Sequence, residues 1–166
     1  EAKYLANRYL GSVYYQLNEF RKCEDAYKAA LGSRPQDMQV ANNLAYLYTN
    51  DLNEPKKALP FAEQASRAAP NDAKVLDTYG WTMAKLNSLA EAEKILLRAV
   101  QLESPLTVSR YHLGWVYEQL KRLDEAKKQY QQGLEMTKDK SDDPLYETLK
   151  TALERVSQKL ERGSGQ

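Results

Sequence analysis

From Tyr111 to Leu134 apolar positions recur with a helical period twice over, on either side of a polar turn near Lys121, Arg122 and Leu123. Leu113, Gly114 and Tyr117 share one stripe of the first predicted helix. Ala126, Tyr130 and Gly133 share one stripe of the second. A helical hairpin of this size cannot bury both of its faces alone, so the pattern predicts neighbours of the same kind.

The chain supplies them. Markers equivalent to Gly114 recur with a period of about 34 residues at Gly80, Ala45 and Gly11. Around each marker stand Leu10 with Tyr14, Leu44 with Tyr48, Tyr79 with Met83, and Leu113 with Tyr117. Further on come the small residues Cys23, Ala58, Ala92 and Ala126, then Tyr27, Ala62, Leu96 and Tyr130, then Ala30, Ala65, Ala99 and Gly133. Three of the four units close on Pro35, Pro70 and Pro105. This arrangement resembles the tetratricopeptide repeat. The resemblance implies an all-α fold, a right-handed superhelical solenoid of four helix-turn-helix units at about 4–37, 38–72, 73–106 and 107–140.

Local signals fill in the outline. The helices of the first unit are expected near 2–17 and 20–33, the second ending at Gly32 and Ser33 with Pro35 preventing continuation. In the second unit the turn from Thr49 to Asn53 is one residue longer than its counterparts, and Pro60 predicts a local kink in the helix that contains it. Ser141-Asp142-Asp143-Pro144 predicts an acidic N-cap with proline at the first helical position, opening a capping helix over 141–162. Its apolar stripe is Leu145, Leu149, Ala152, Leu153, Val156 and Leu160, and residues 163–166 are expected to be a disordered tail.

Composition adjusts this picture in a few places. The net charge of the 166 residues is +1, with acidic and basic side chains interleaved as on solvated helix faces, so the chain carries no electrostatic footprint for nucleic acid. No apolar run is long enough to span a bilayer, which predicts no membrane insertion in this segment. The one cysteine, Cys23, takes the small buried position held by alanine in the other units and is expected to be a packed thiol. The opening Glu1-Ala2-Lys3 has neither a methionine nor a leader pattern, which predicts that a start or leader precedes it. Nothing before Tyr4 covers the first hairpin, so an upstream repeat, a partner or a second copy is expected there.

The resemblance also implies which residues face the concave wall. From the first helix of each pair these include Leu5, Arg8, Tyr9, Ser12, Tyr15 and Gln16, then Gln39, Asn42, Asn43 and Tyr46. The later units add Lys74, Asp77, Thr78 and Trp81, then Val108, Tyr111, His112 and Trp115. Aromatics among asparagine, histidine, threonine and arginine are the mixture that grips a peptide, and an asparagine can bond both the N–H and the C=O of a ligand backbone. The candidate peptide-binding set is therefore Arg8, Tyr9, Ser12, Asn42, Asn43, Tyr46, Lys74, Thr78, Trp81, Tyr111, His112 and Trp115. Trp81 and Trp115 have a second reading, as packing between adjacent first helices. A carboxylate clamp of the chaperone-binding kind would use Arg8, Ser12, Asn43, Lys74 and Thr78. Asn43 and Lys74 match that pattern, Arg8 keeps the charge, and Ser12 and Thr78 depart from it.

The runs NNLAYLY at 42–48, LDTYGW at 76–81 and RYHLGWVYEQL at 110–120 are similar to repeats of bacterial tetratricopeptide proteins that accompany exopolysaccharide export and protein sorting. That likeness implies a bacterial origin and leans toward the cell envelope. Catalysis is not expected: His112 is the single histidine, and the sequence holds no metal-ligand cluster, phosphate-binding glycine loop or paired nucleophile and base. No cofactor or metal is expected. The function read from the sequence is a scaffold that binds a protein or peptide in its groove as an adaptor in a bacterial assembly or export system, with self-association through the N-terminal repeat as the alternative.

Overall fold

The computed structural model describes residues 1–102, 106–139 and 142–163. Among them lie nine α-helices and no strand. They are α1 (Ala2–Gln16), α2 (Phe20–Ser33), α3 (Met38–Tyr46), α4 (Pro55–Ala68), α5 (Ala73–Lys85), α6 (Leu89–Gln101), α7 (Thr107–Gln119), α8 (Leu123–Thr137) and α9 (Pro144–Gly163). The first eight pair as consecutive hairpins. Each second helix also packs on the first helix of the next pair, and α9 closes over α8. The molecule is thus an all-α solenoid of four helix-turn-helix units with a capping helix.

The turn inside each hairpin is closed by one residue in the left-handed region: Asn18, Asn53, Asn87 and Lys121, with φ between 51° and 63°. Asparagine tolerates that conformation because its short side chain bonds locally, whereas Lys121 does not share that advantage. Between hairpins, proline sets the boundary. Arg34 and Ala69 precede Pro35 and Pro70 and stand at ψ 82° and 70°, outside the helical region that a following proline ring disfavours. Gly32, expected to cap α2, lies inside the helix with a negative φ; Pro35 acts alone. Asp37 and Asp72 then cap α3 and α5, accepting from the backbone N–H of Val40 and of Lys74 and Val75.

The second hairpin carries the two irregularities that the sequence marked. The extra residue is absorbed in a π-helical turn at Leu47–Asp51, where the N–H of Leu52 reaches the carbonyl of Leu47. In the other hairpins the N–H that begins the second helix reaches back five residues, as in Ser88 to Met83; here Glu54 reaches back six, to Tyr48. Pro60 does not interrupt α4, which runs as one helix from Pro55 to Ala68. Its ring removes the donor to the carbonyl of Lys56 in the first turn, and both residues are exposed, so water can take that bond.

The core follows the repeat. Leu44, Tyr48, Leu96, Leu113, Tyr130 and Leu149 are almost completely buried between helices, each such side chain contributing roughly 1.5–3 kcal/mol. Asp143 caps α9 through the N–H of Leu145, and Leu149, Ala152 and Val156 bury against α7 and α8. Gly163 belongs to α9 rather than to a tail. Pro105, Ser141 and residues 164–166, to which the sequence assigned a terminator, a cap and a tail, lie outside the described residues.

Candidate functional site

The first helices α1, α3, α5 and α7 line the inner wall, and the wall divides into two parts of different character. Its N-terminal half is open. A cleft of about 440 Å³ there brings together Ser12, Asn42, Asn43, Tyr46, Lys74 and Thr78 of the expected set. Its floor and sides add residues that the binding set lacked: Tyr15, Tyr27, Asp77, Leu106 and Val108. Tyr27 comes from a second helix. It reaches the wall because Gly11 leaves no side chain in its path, and its hydroxyl stands 3.4 Å from both Ser12 Oγ and Asn43 Nδ2. The pairing of Gly11 with a large residue sixteen positions on was the signal for this in the sequence.

The cleft has graded polarity. Tyr15 and Tyr46 meet edge-on at 6.3 Å between ring centroids, with Tyr46 40 % exposed. Burial, then the neighbouring Tyr46 and the Asp51 carboxylate, push the Tyr15 phenol upward, so it stays a neutral donor. Burial likewise raises the phenols of Tyr27 and Tyr46. Asn42 Oδ1 is buried at the side of the cleft and has no hydrogen-bond donor among the described residues. An unpaired buried acceptor costs about 1–3 kcal/mol. Lys74 is exposed at the edge of the cleft.

The C-terminal half of the wall is closed by its own aromatics. His112 stacks on Trp81 at 4.1 Å and 8° between rings, and Trp115 meets the same indole edge-on at 5.1 Å. His112 Nδ1 lies 2.9 Å from Asp77 Oδ1, tying α7 to α5, and the Trp81 indole N–H donates to Asn50 Oδ1. Trp81 and His112 are 6 % and 5 % exposed, so their rings join neighbouring hairpins instead of facing the groove. Trp115 and Tyr111 are half-buried beside them. Thr78 lines the cleft but is itself buried. Arg8 and Tyr9 line a smaller recess of about 380 Å³ with Leu5 and Ser12, the last of which also lines the cleft; Arg8 donates to Gln39 and Tyr4, and Tyr9 is 75 % exposed.

His112 is engaged by Asp77, and the Cys23 thiol lies remote from solvent, pushed up to about 11 by burial and then by the charge of Asp51. No group of three or more His, Cys, Asp or Glu able to hold a metal occurs among the described residues, and no helix there is long and apolar enough to cross a membrane.

Residues 10–37 and 108–140 match the tetratricopeptide repeat family model, and no curated protein matches the chain. Among solved structures, PilF of Pseudomonas aeruginosa superposes with a TM-score of 0.79 at 22% identity, covering 97% of this chain and 70% of that one. MamA superposes at 0.72 with 18% identity, covering 96% and 88%. YrrB, described as a TPR protein with an unusual peptide-binding site, superposes at 0.72 with 19% identity, covering 84% and 72%. At these identities the likeness is one of fold.

Proposed function

We propose that this chain, two stretches of which match the tetratricopeptide repeat model, is a non-catalytic interaction scaffold whose ligand is a peptide segment held in the N-terminal half of the concave wall. The observation that carries this reading is the pair of partly exposed rings of Tyr15 and Tyr46 in a cleft of about 440 Å³ that Asn42 and Asn43 also line. The asparagine amides can bond a peptide backbone, an apolar or aromatic side chain fills the space beside the tyrosines, and Lys74 favours an acidic residue at the rim. YrrB, with the same fold, is itself described as peptide-binding. The wider role, an adaptor in a bacterial assembly or export system, draws support from the likeness of the 42–48, 76–81 and 110–120 runs to bacterial repeats of that kind.

A carboxylate clamp at Arg8, Ser12, Asn43, Lys74 and Thr78 fits less well. Thr78 is buried, and Arg8 is held by Gln39 and Tyr4 outside the cleft. A random peptide library displayed on phage and selected on the purified chain tests the main reading. Enriched peptides should carry a bulky apolar residue and lose about tenfold or more in affinity on Asn42→Ala or Tyr46→Ala, while Tyr9→Ala leaves binding unchanged. Enrichment of peptides that bind the Tyr46→Ala chain equally well would place the site elsewhere.

A further inference from the structure

Two carboxylates set the field around the tyrosine pair of the cleft. Asp77 lines the cleft from α5 and gives Oδ1 to His112 Nδ1 at 2.9 Å. Asp51 ends the π-helical turn, and its Oδ2 is shut off from solvent with no hydrogen-bond donor among the described residues. Burial pushes the Asp51 carboxyl upward, and Tyr15 alone draws it back. Burial also raises the Tyr46 phenol, and the charges of Asp51 and Asp77 raise it further. Of the residues that line the cleft only Lys74 is a lysine or arginine, and it is exposed at the edge without an ion pair to either carboxylate.

A desolvated carboxylate without a counter-charge costs stability, so Asp51 is a poor choice on structural grounds alone. Its charge has a use if the cleft receives a cation. The face of an aromatic ring attracts an ammonium or guanidinium, and the apolar stem of lysine or arginine packs against that ring while the head keeps its charge. Tyr46, 40 % exposed, offers such a ring, with both carboxylates close enough to act on its phenol. Because Asp51 Oδ2 is sealed, Asp51 acts on a ligand through the field and not by contact, and the low dielectric of its surroundings lets that field reach the cleft. Lys74 at the edge then suits an acidic neighbour in the same peptide.

We infer, on the premise that the cleft is the peptide site, that its ligand carries a lysine or arginine beside the apolar residue, the cationic head lying against the Tyr46 ring and drawn by Asp51 and Asp77. A library of terminally blocked decapeptides, random but for one central leucine, is selected on the purified chain. The strongest binders are titrated calorimetrically against the native chain, Asp51→Asn and Tyr46→Ala, with circular dichroism confirming that each variant is folded. Binders should carry a basic residue next to the leucine or one place further. Exchanging that residue for norleucine should weaken binding to the native chain about fivefold or more, a comparison that needs no protein variant. The same exchange should cost the Asp51→Asn chain markedly less, while the urea midpoint of Asp51→Asn does not fall. Binders that need Tyr46 but carry no basic residue overturn the cationic anchor alone, as does an equal norleucine loss in the native and Asp51→Asn chains. Binders indifferent to Tyr46→Ala, or a selection without enrichment, overturn the cleft and the anchor together.

Discussion

Gly114 faces the ring of Tyr130 so closely that a Cβ added to it would stand 2.4 Å from Cε1. The ring has nowhere to retreat: Tyr130 is fully buried, and its hydroxyl donates to Glu118 at 2.8 Å. The same relation joins Gly11 to Tyr27 and Gly80 to Leu96, whereas the second hairpin buries Ala45 and Ala62, trading the glycine and its large partner for two small residues. Gly114→Ala should therefore destabilise the chain by about 1–3 kcal/mol, even though alanine alone favours a helix by roughly 1 kcal/mol. Gly133→Ala meets only the flexible methyl ends of Leu149, at 2.9 and 3.1 Å, and should cost clearly less. Urea denaturation of the two variants checks the ranking, which fails if Gly133→Ala is the more damaging.

That relation was visible in the sequence, because the small–large pairing recurs with the repeat and a recurring position has to do a recurring job. What differed between repeats was harder to read. Asp77 and His112 occupy successive places in neighbouring units, and both stood on the list of groove-facing residues; Asp77 does line the cleft, but it also holds His112, whose ring lies on Trp81. The packing of α7 on α5 decides the matter: it stacks His112 on Trp81, whereas a cleft stays open among α1, α3 and α5. Such packing is the sum of many contacts, and no single residue type announces it. The π-helical turn was legible as one extra residue but not as a helix of altered pitch.

That turn has a consequence for stability. It places Thr49, 1 % exposed, with its hydroxyl 2.8 Å from the hydroxyl of Thr82, which is fully buried. Thr82 Oγ1 also lies 2.7 Å from the carbonyl of Thr78, which can only accept, so Thr82 gives its proton there and Thr49 donates to Thr82. The two threonines are thus unequal. Thr49→Val removes a donor and leaves Thr82 bonded to Thr78. Thr82→Val keeps the volume but strands the Thr49 proton in a dry interface, at about 1–3 kcal/mol. Thermal or urea denaturation should find Thr82→Val the more costly, with the double valine variant falling short of the sum of the single losses. Equal effects would sink the assigned direction of the bond.

Two buried glutamates make the fold acid-sensitive. Burial pushes the Glu24 carboxyl upward, but bonds from Lys28, Tyr48 and Arg21 outweigh that and hold it at about 2. Glu118 is likewise raised by burial and more than compensated by Arg155, Tyr130 and Lys159, which bind α9 to α7 and α8; it too stays below its ordinary value of 4.5. A carboxyl whose folded value is depressed lends stability that is fully present above its unfolded value and is lost as pH falls through the folded one. The loss should therefore run from about pH 4.5 downward, toward about pH 2 for Glu24. Urea midpoints measured across that window should drop steeply for the native chain. Glu24→Gln should start lower at neutral pH and fall less steeply, since glutamine has no proton to gain. Glu118→Gln should also speed amide exchange in α9 at neutral pH, because half-exposed Arg155 and Lys159 lose the charge that anchors them. A Glu24→Gln profile parallel to that of the native chain would assign the acid sensitivity to other groups.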